Sequence, residues 1–284
     1  MATGSSGQAG RRICIHLGVQ KTGSTSIQRH LALNEAALAD RLVLRLPVEG
    51  GPLRPLGRAA VAFSLSRDDA SRAALAEAIA VVRENLPDGD LPVLLSHENL
   101  AGAMPGNGGE TGLFPGLPDI IWMLEEGFSG LTVDYVVYSR RMGQWKPSVW
   151  AQAVRTDGYK GTWEAFQAET ATLPGWQNLI RRIQAVAPGR VTHLRLEDEI
   201  DPAHPGALLL AHLGLNAGEI AALHPLDGRS MQRLPDATTE FIRRLNGLAM
   251  NPHARYKVAE LAARVPQLFN PDYRPAAGEA AGRH

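Results

Sequence analysis

The chain has 284 residues, and 44% of them are hydrophobic, so it can bury a sizeable core. Its 29 basic residues balance 29 acidic ones, which argues against nucleic acid or an anionic membrane surface as a partner. The single cysteine, Cys14, excludes an internal disulfide framework and favours a cytoplasmic location. We find no apolar leader segment and no apolar run of about eighteen residues, so we expect neither a signal peptide nor membrane insertion.

Strand-like and helix-like patterns alternate along the chain. An apolar run predicts a first strand over Arg12–Leu17, and apolar residues at helical spacing predict a helix over residues 25–38. Residues 47–58 are rich in glycine and proline and predict a loop. A helix over residues 68–86 follows, with Ser66 as its predicted cap. The later predicted elements are strands over residues 91–95, 131–138 and 190–196, helices over residues 119–126 and 175–187, and a helix with Pro147 in its first turn.

This alternation predicts a three-layer α/β fold of the P-loop type, with a central parallel sheet and helices on both faces. We see no repeat and no linker that would divide the chain. We therefore expect one domain over residues 11–270, between small, polar tails at residues 1–10 and 271–284.

The segment that carries most chemical information is ICIHLGVQKTGSTS, which begins at Ile13. It predicts a strand, a loop bracketed by Gly18 and Gly23, and the start of a helix. Loop amides and a helix N-terminus together favour a bound phosphate. Lys21 supplies a full positive charge, and hydroxyl donors come from Thr22, Ser24, Thr25 and Ser26.

Lys21 does not stand at the position that the lysine of a nucleoside triphosphatase loop occupies. That pattern requires lysine directly after the second glycine, whereas Lys21 precedes Gly23. A triphosphatase also needs an acidic Mg²⁺ ligand, usually at the end of a neighbouring strand. The strand before Arg140 ends instead in Ser-Arg-Arg, which favours a second anion.

The loop HLGVQKTGSTSIQ resembles the 5′-phosphosulfate loop of sulfotransferases, and YSRRMGQWKPS resembles the 3′-phosphate motif of that family. In the second motif an arginine at a strand end precedes a serine by eight residues, as Arg140 precedes Ser148. The resemblance implies 3′-phosphoadenosine 5′-phosphosulfate (PAPS) as the sulfuryl donor and no metal. It places residues 21–26, with Arg140 and Ser148, around the nucleotide.

Three further segments, VLLSHENL, LRLEDEIDP and GRSMQRLPDATTEFIRRLN, are similar to parts of bacterial sulfotransferases. The Arg-Lys-Gly segment that closes over the nucleotide in animal cytosolic members is not recognisable. Arg229 and Ser230 are the residues that we expect in its place.

The resemblance also implies a general base at the end of the strand over residues 91–95. Glu98 falls on the base position, and His97 is one residue away, so both are candidates. An alternative is that Glu98 only caps a short helix at Asn99–Leu100. The remaining histidines show no metal-ligand spacing, and His16 and His193 lie within strands, where we expect hydrogen-bonded core histidines.

These observations lead to the hypothesis of a PAPS-dependent sulfotransferase that moves a sulfuryl group to a hydroxyl or, as a second choice, an amine. Residues 47–66, 102–116 and 155–163 are the candidate acceptor pocket, but their composition does not name a small molecule, lipid or saccharide. Two alternatives stay open, a P-loop kinase of a small metabolite and a non-catalytic nucleotide-binding module.

Overall fold

The computed structural model describes residues 10–227, 234–269 and 272–274. Its centre is a parallel sheet of five strands: β1 (Arg12–Leu17), β2 (Val43–Arg45), β3 (Val93–His97), β4 (Thr132–Ser139) and β5 (Val191–Arg195). The strand order is β2-β3-β1-β4-β5. The parallel pairing that the sequence predicts is confirmed for every neighbouring pair.

Helices cover both faces of this sheet. Those of the described residues are α1 (Ser24–Leu33), α2 (Glu35–Leu38), α3 (Leu53–Ser66), α4 (Asp69–Glu84), α5 (Leu117–Gly127), α6 (Met142–Thr156), α7 (Trp163–Glu169), α8 (Trp176–Val186), α9 (Ala207–His212), α10 (Ala217–Ala221), α11 (Asp236–Asn246) and α12 (Pro252–Arg264). Short 3₁₀ helices lie at Glu98–Ala101, Leu196–Asp198 and Pro266–Phe269.

Successive side chains of a strand point to opposite faces, so each strand supplies two cores. Ile13 and Ile15 of β1 belong to the larger core, which helices α3, α4, α5, α6 and α8 complete. Cys14 belongs to the smaller core with residues of α1 and α9. The three-layer arrangement of helices, parallel sheet and helices follows directly from this alternation.

Strand β1 lies between β3 and β4. After β1 the chain crosses to β2 on one side of the sheet, whereas after β4 it continues to β5 on the other side. In open parallel sheets such a position forms a crevice at the carboxyl ends of the strands, where ligands bind. Leu17, the last residue of β1, lies opposite His97, the last residue of β3. The loop after β1 and the segment after β3 therefore begin side by side.

Several predicted boundaries were wrong. The predicted helix over residues 25–38 is interrupted at Asn34, whose side chain donates to the carbonyls of His30 and His224. The cap of α4 is Asp68 rather than Ser66, because Asp68 accepts from the Ser71 amide at 2.7 Å. Strand β2 was not predicted at all.

The predicted loop over residues 47–58 was also wrong in its second half, where α3 begins at Leu53. Pro55 is the third residue of that helix, where the missing amide hydrogen has no intrahelical partner to lose. Pro147 in turn is the sixth residue of α6, beyond the predicted first turn.

The predicted tails lie outside the described residues, except for Gly10 and residues 272–274. No helix in the part of the chain that the structure describes is both long and apolar enough to cross a membrane.

Candidate functional site

A cavity of about 830 Å³ opens at the carboxyl edge of the sheet, above β1. The loop after β1, the 3₁₀ helix after β3 and Arg140 after β4 all reach it. Sequence-predicted residues that line it are Lys21, Gly23, Ser24, Thr25, Ser26, Glu98 and Arg140. The structure thus brings most of the predicted nucleotide and base residues into one cavity.

The backbone of the loop is shaped for close approach. Lys21 and Gly23 have φ angles of 68° and 94°, in the left-handed region. A Cβ atom at Gly18 would lie 2.8 Å from Ser24 Oγ and 2.9 Å from the Cα of Glu98, so only glycine fits there. No side chain caps the start of α1 at Gly23, which leaves amides of its first turn open to a ligand.

Two contacts fix the loop from inside the protein. The buried indole of Trp145 donates from Nε1 to the carbonyl of Gln20 at 2.8 Å. Thr22 is fully buried, and its hydroxyl and its amide both donate to the carbonyl of Val19, at 2.6 and 3.3 Å. The structure therefore does not bring Thr22 into the cavity, although the sequence placed its hydroxyl among the nucleotide ligands.

Positive charge accumulates at Lys21 without a matching acid. Its Nζ contacts only the amide oxygen of Gln152, at 3.5 Å, among the described residues. Burial and then the charges of Arg155 and Arg140 lower the pKa of Lys21. A half-buried lysine that neighbouring arginines repel is stabilised by a bound anion.

Arg140 and Ser148, which the resemblance pairs at the 3′-phosphate, are in contact. Nη1 of Arg140 donates to Ser148 Oγ at 3.2 Å and to the carbonyl of Lys21 at 3.5 Å. Its Nε and Nη2 have no partner among the described residues, so they remain available as donors. Trp176 Nε1 donates to the backbone carbonyl of Arg140 at 2.6 Å, which fixes the main chain from which this side chain extends.

The two candidate bases occupy different environments. Glu98 is half-buried in the cavity wall, and its Oε2 accepts from Gln28 Nε2 at 3.0 Å. His97 is buried, and its Nδ1 accepts from the Asn99 amide at 3.0 Å. The cap of the short 3₁₀ helix is therefore His97 and not Glu98, contrary to the alternative that the sequence left open.

A buried polar chain lies beneath Glu98. His16 Nδ1 is 2.8 Å from Ser96 Oγ, and Ser96 Oγ accepts from Gln28 Nε2 at 3.3 Å. His193 likewise lies 2.7 Å from Ser139 Oγ. Both are hydrogen-bonded within strands, but only His16 is the buried core histidine that was predicted, since His193 is half-buried, and neither lines the cavity.

Much of the remaining cavity wall comes from the segments that the sequence predicted for the acceptor pocket, although the sequence singled out no residue within them. The residues of this wall come from all three segments predicted for the acceptor pocket and from α6: Arg58, Val61, Ala62, Leu65, Met104, Asn107, Gln152, Thr156 and Asp157. Burial raises the pKa of Asp157 to about 6, and Asn107 donates to its Oδ1 at 3.3 Å. Only the helical spacing of Gln28, four residues after Ser24, offered a signal that could have identified a further polar residue near Glu98.

Cys14, Asp134 and His212 are close enough to hold a metal, among the residues that the structure describes. Their chemistry does not fit that role. Arg12 contacts both oxygens of Asp134 at 2.9 Å, and burial raises the pKa of the Cys14 thiol well above its usual value. The carboxylate is already paired and the thiol stays protonated, whereas metal binding needs both ligands free and ionised.

The fifth strand closes the remaining side of the site. A Cβ atom at Gly23 would lie 2.8 Å from Leu196 Cδ1, and Glu197 accepts from the Arg141 amide at 2.8 Å. Arg229 and Ser230, predicted to complete the nucleotide site, lie outside the described residues.

No protein-family model, curated protein or solved structure matches the chain.

Proposed function

We propose that this chain is a PAPS-dependent sulfotransferase. The proposal rests chiefly on Arg140, whose Nη1 contacts both Ser148 and the carbonyl of Lys21. A candidate 3′-phosphate pair thereby adjoins a candidate 5′-phosphate loop. A nucleotide that carries both phosphates suits this pairing, whereas ATP has no 3′-phosphate for Arg140.

The electrostatics of the loop support a sulfuryl donor. Lys21 and Arg140 form no ion pair within the described residues, so an anionic ligand supplies the missing countercharge. Lys21, with the open amides of α1, would hold the 5′-phosphosulfate. Arg140 and Ser148 would hold the 3′-phosphate.

The residues of the site account for an in-line transfer. Glu98 would accept the proton of the acceptor hydroxyl while the acceptor oxygen bonds to sulfur. The bond from sulfur to the bridging oxygen breaks, and that oxygen leaves with adenosine 3′,5′-bisphosphate. Lys21 would stabilise the negative charge that develops on the leaving phosphate. The net change moves one sulfuryl group to the acceptor and one proton to Glu98.

Nucleotide binding tests this proposal against the kinase alternative. Calorimetry would compare adenosine 3′,5′-bisphosphate, 5′-AMP, and ATP with Mg²⁺. We expect the bisphosphate to bind about tenfold to a hundredfold more tightly than 5′-AMP, the worth of a charge-assisted contact. Equal affinity for the bisphosphate and 5′-AMP would remove the donor assignment, and a preference for ATP with Mg²⁺ would favour a kinase.

Turnover tests the non-catalytic alternative. The protein would be incubated with PAPS, excess EDTA and a mixture of sugars, phenols, alcohols and lipids, and mass spectrometry would detect products that gained SO₃. We expect a sulfated product in the presence of EDTA. Tight binding of the bisphosphate without any product from a broad acceptor mixture would favour a binding module.

A further inference from the structure

A second cavity, of about 570 Å³, lies beside the first one, between α1 and α3 and over the carboxyl ends of β2 and β3. The two cavities share Thr25, Arg58, Glu98 and Asn99 in their walls. Lys21 and Arg140 do not line the second cavity. It therefore extends from the candidate base, away from the residues assigned to the donor.

Arginines dominate the charge of this second cavity. Arg29 reaches it from α1, and Arg54 and Arg58 reach it from successive turns of α3. Glu98 is the one carboxylate among the lining residues, which gives three guanidinium groups and one acid. Such an excess of one charge in a cleft raises the local concentration of oppositely charged ligands.

These three guanidinium groups make few contacts that stabilise the fold. Among the described residues none of the three forms an ion pair, and the one hydrogen bond from their side chains runs from Arg54 Nε to the carbonyl of Pro47, at 2.9 Å. Burial and, to a smaller extent, the charge of Arg54 lower the pKa of the His97 imidazole against the opposing charge of Glu98. His97 therefore stays neutral and adds no positive charge of its own.

We propose that the sulfuryl acceptor carries an anionic group, a carboxylate or a phosphate, that binds Arg54 and Arg58 while its hydroxyl lies at Glu98. This proposal rests on the proposed function. Leu46, Pro47 and Val48 also line the cavity and suit an uncharged body between the two groups. Arginine pairs with carboxylate and phosphate in bidentate geometry, so two arginines on one helix face suit either group.

The test compares matched probes in the presence of saturating adenosine 3′,5′-bisphosphate. One pair is 4-hydroxyphenylacetate with 4-hydroxyphenylacetamide, and the other is glucose 6-phosphate with glucose. Dissociation constants come from ligand-observed NMR. The variants are the double substitution Arg54→Gln/Arg58→Gln and, as a matched control, Arg181→Gln, an exposed arginine on α8 that lines neither cavity.

We expect the anionic member of at least one pair to bind about tenfold more tightly than its neutral partner, which is the lower end of a charge-assisted contact. The preference should disappear in the double variant and persist in Arg181→Gln. Should the double variant fail to fold, the single substitution Arg58→Gln gives the same test, because this side chain has no hydrogen bond or ion pair with other described residues.

Absence of any anion preference in the wild type, or a preference that survives the substitutions, overturns the inference. The affinity for adenosine 3′,5′-bisphosphate is measured in the same samples. If the protein binds adenosine 3′,5′-bisphosphate but shows no preference for the anionic probes, only the inference about the acceptor is wrong. If it prefers the anionic probes but does not bind the bisphosphate, the assignment of the donor is wrong.

Discussion

The backbone amide of Asn99 donates to Nδ1 of His97 at 3.0 Å. Nδ1 therefore carries no proton, and a neutral His97 holds its proton on Nε2. That edge of the ring packs against Gly57 of α3, where a Cβ atom would collide with it. Burial lowers the pKa of His97. His97 lines only the second cavity, and its neutral ring packs against α3, which suits a structural role, whereas Glu98 lines both cavities.

We therefore predict that Glu98→Gln lowers sulfuryl transfer at least about a hundredfold, the usual worth of a positioned base. The amide keeps the shape of the side chain but cannot accept the proton. Affinity for adenosine 3′,5′-bisphosphate should be unchanged. Initial rates of bisphosphate release and calorimetry measure the two quantities.

His97→Asn is the comparison for that result. The asparagine oxygen can still accept from the Asn99 amide, so the cap is preserved. We expect a lower melting temperature, from the cavity left beside Gly57, and a much smaller loss of turnover. Reversed losses in the two variants would make His97 the base.

Arg140→Ala should remove most of the preference for adenosine 3′,5′-bisphosphate over 5′-AMP. A charge-assisted contact to phosphate is worth about 1.5–3 kcal/mol, or roughly tenfold to a hundredfold in affinity. Ser148→Ala should lose less, because the serine hydroxyl is a single uncharged donor, whereas the guanidinium of Arg140 brings a full positive charge and several donors. Calorimetric titration of each variant with both nucleotides measures the change.

Arg141→Ala is the matched control, since Arg141 is exposed and contacts Glu197 through its backbone amide. An equal loss in Arg141→Ala and Arg140→Ala would mean that general positive charge, and not a specific contact, holds the 3′-phosphate.

Lys21→Ala should lower transfer by about 10²–10³, the cost of removing one donor to developing charge. The same substitution should not destabilise the folded protein. Because the ammonium is partly buried and is also repelled by Arg155 and Arg140, its loss should leave the melting temperature of the free protein unchanged or raise it. Thermal melts without nucleotide and transfer rates test both statements.

Lys160→Ala, at an exposed lysine outside both cavities, provides the control. Near-normal transfer by Lys21→Ala would place the stabilisation of the leaving phosphate elsewhere. A marked drop in its melting temperature would show that the lysine stem is needed for packing.

Local sequence was sufficient to predict a structural element where one continuous segment contains the whole pattern. The apolar run of β1 predicted Arg12–Leu17 with the observed bounds, and glycine spacing predicted the loop with Lys21. The eight-residue interval between Arg140 and Ser148 also produced an observed contact. In each case the relevant partners are close in sequence or follow strands whose parallel order was predictable.

The sequence did not predict features that depend on contacts between distant segments. Gly57 favoured a loop, yet it lies within α3, and glycine is needed there because the ring of His97 on β3 packs against it. Strand β2 has only three residues and gains its pairing from β3, so it lacks a detectable pattern of its own. The arginine-lined cavity depends on how α1 and α3 face one another, which no local pattern records.

The last prediction concerns stability and His16. This side chain is fully buried, its Nδ1 lies 2.8 Å from Ser96 Oγ, and its Nε2 has no partner among the described residues. Burial lowers the pKa of His16 to about 4. The unfolded chain has an ordinary histidine with a pKa of about 6.5, so it binds the proton more readily than the folded protein does.

Between about pH 6.5 and pH 4 the unfolded state therefore carries more protons, and stability falls as the pH falls. From about pH 7 to about pH 5 this single group should cost on the order of 2 kcal/mol in the free energy of unfolding. Burial also lowers the pKa values of His30, His97 and His193, which adds to the same trend, whereas the raised pKa of Asp157 opposes it. His16→Gln should therefore reduce the pH dependence without abolishing it. Urea unfolding of the wild type, His16→Gln and the exposed control His253→Gln at both pH values measures the slopes, and equal slopes in all three would mean that His16 is protonated as easily in the folded protein as in the unfolded chain.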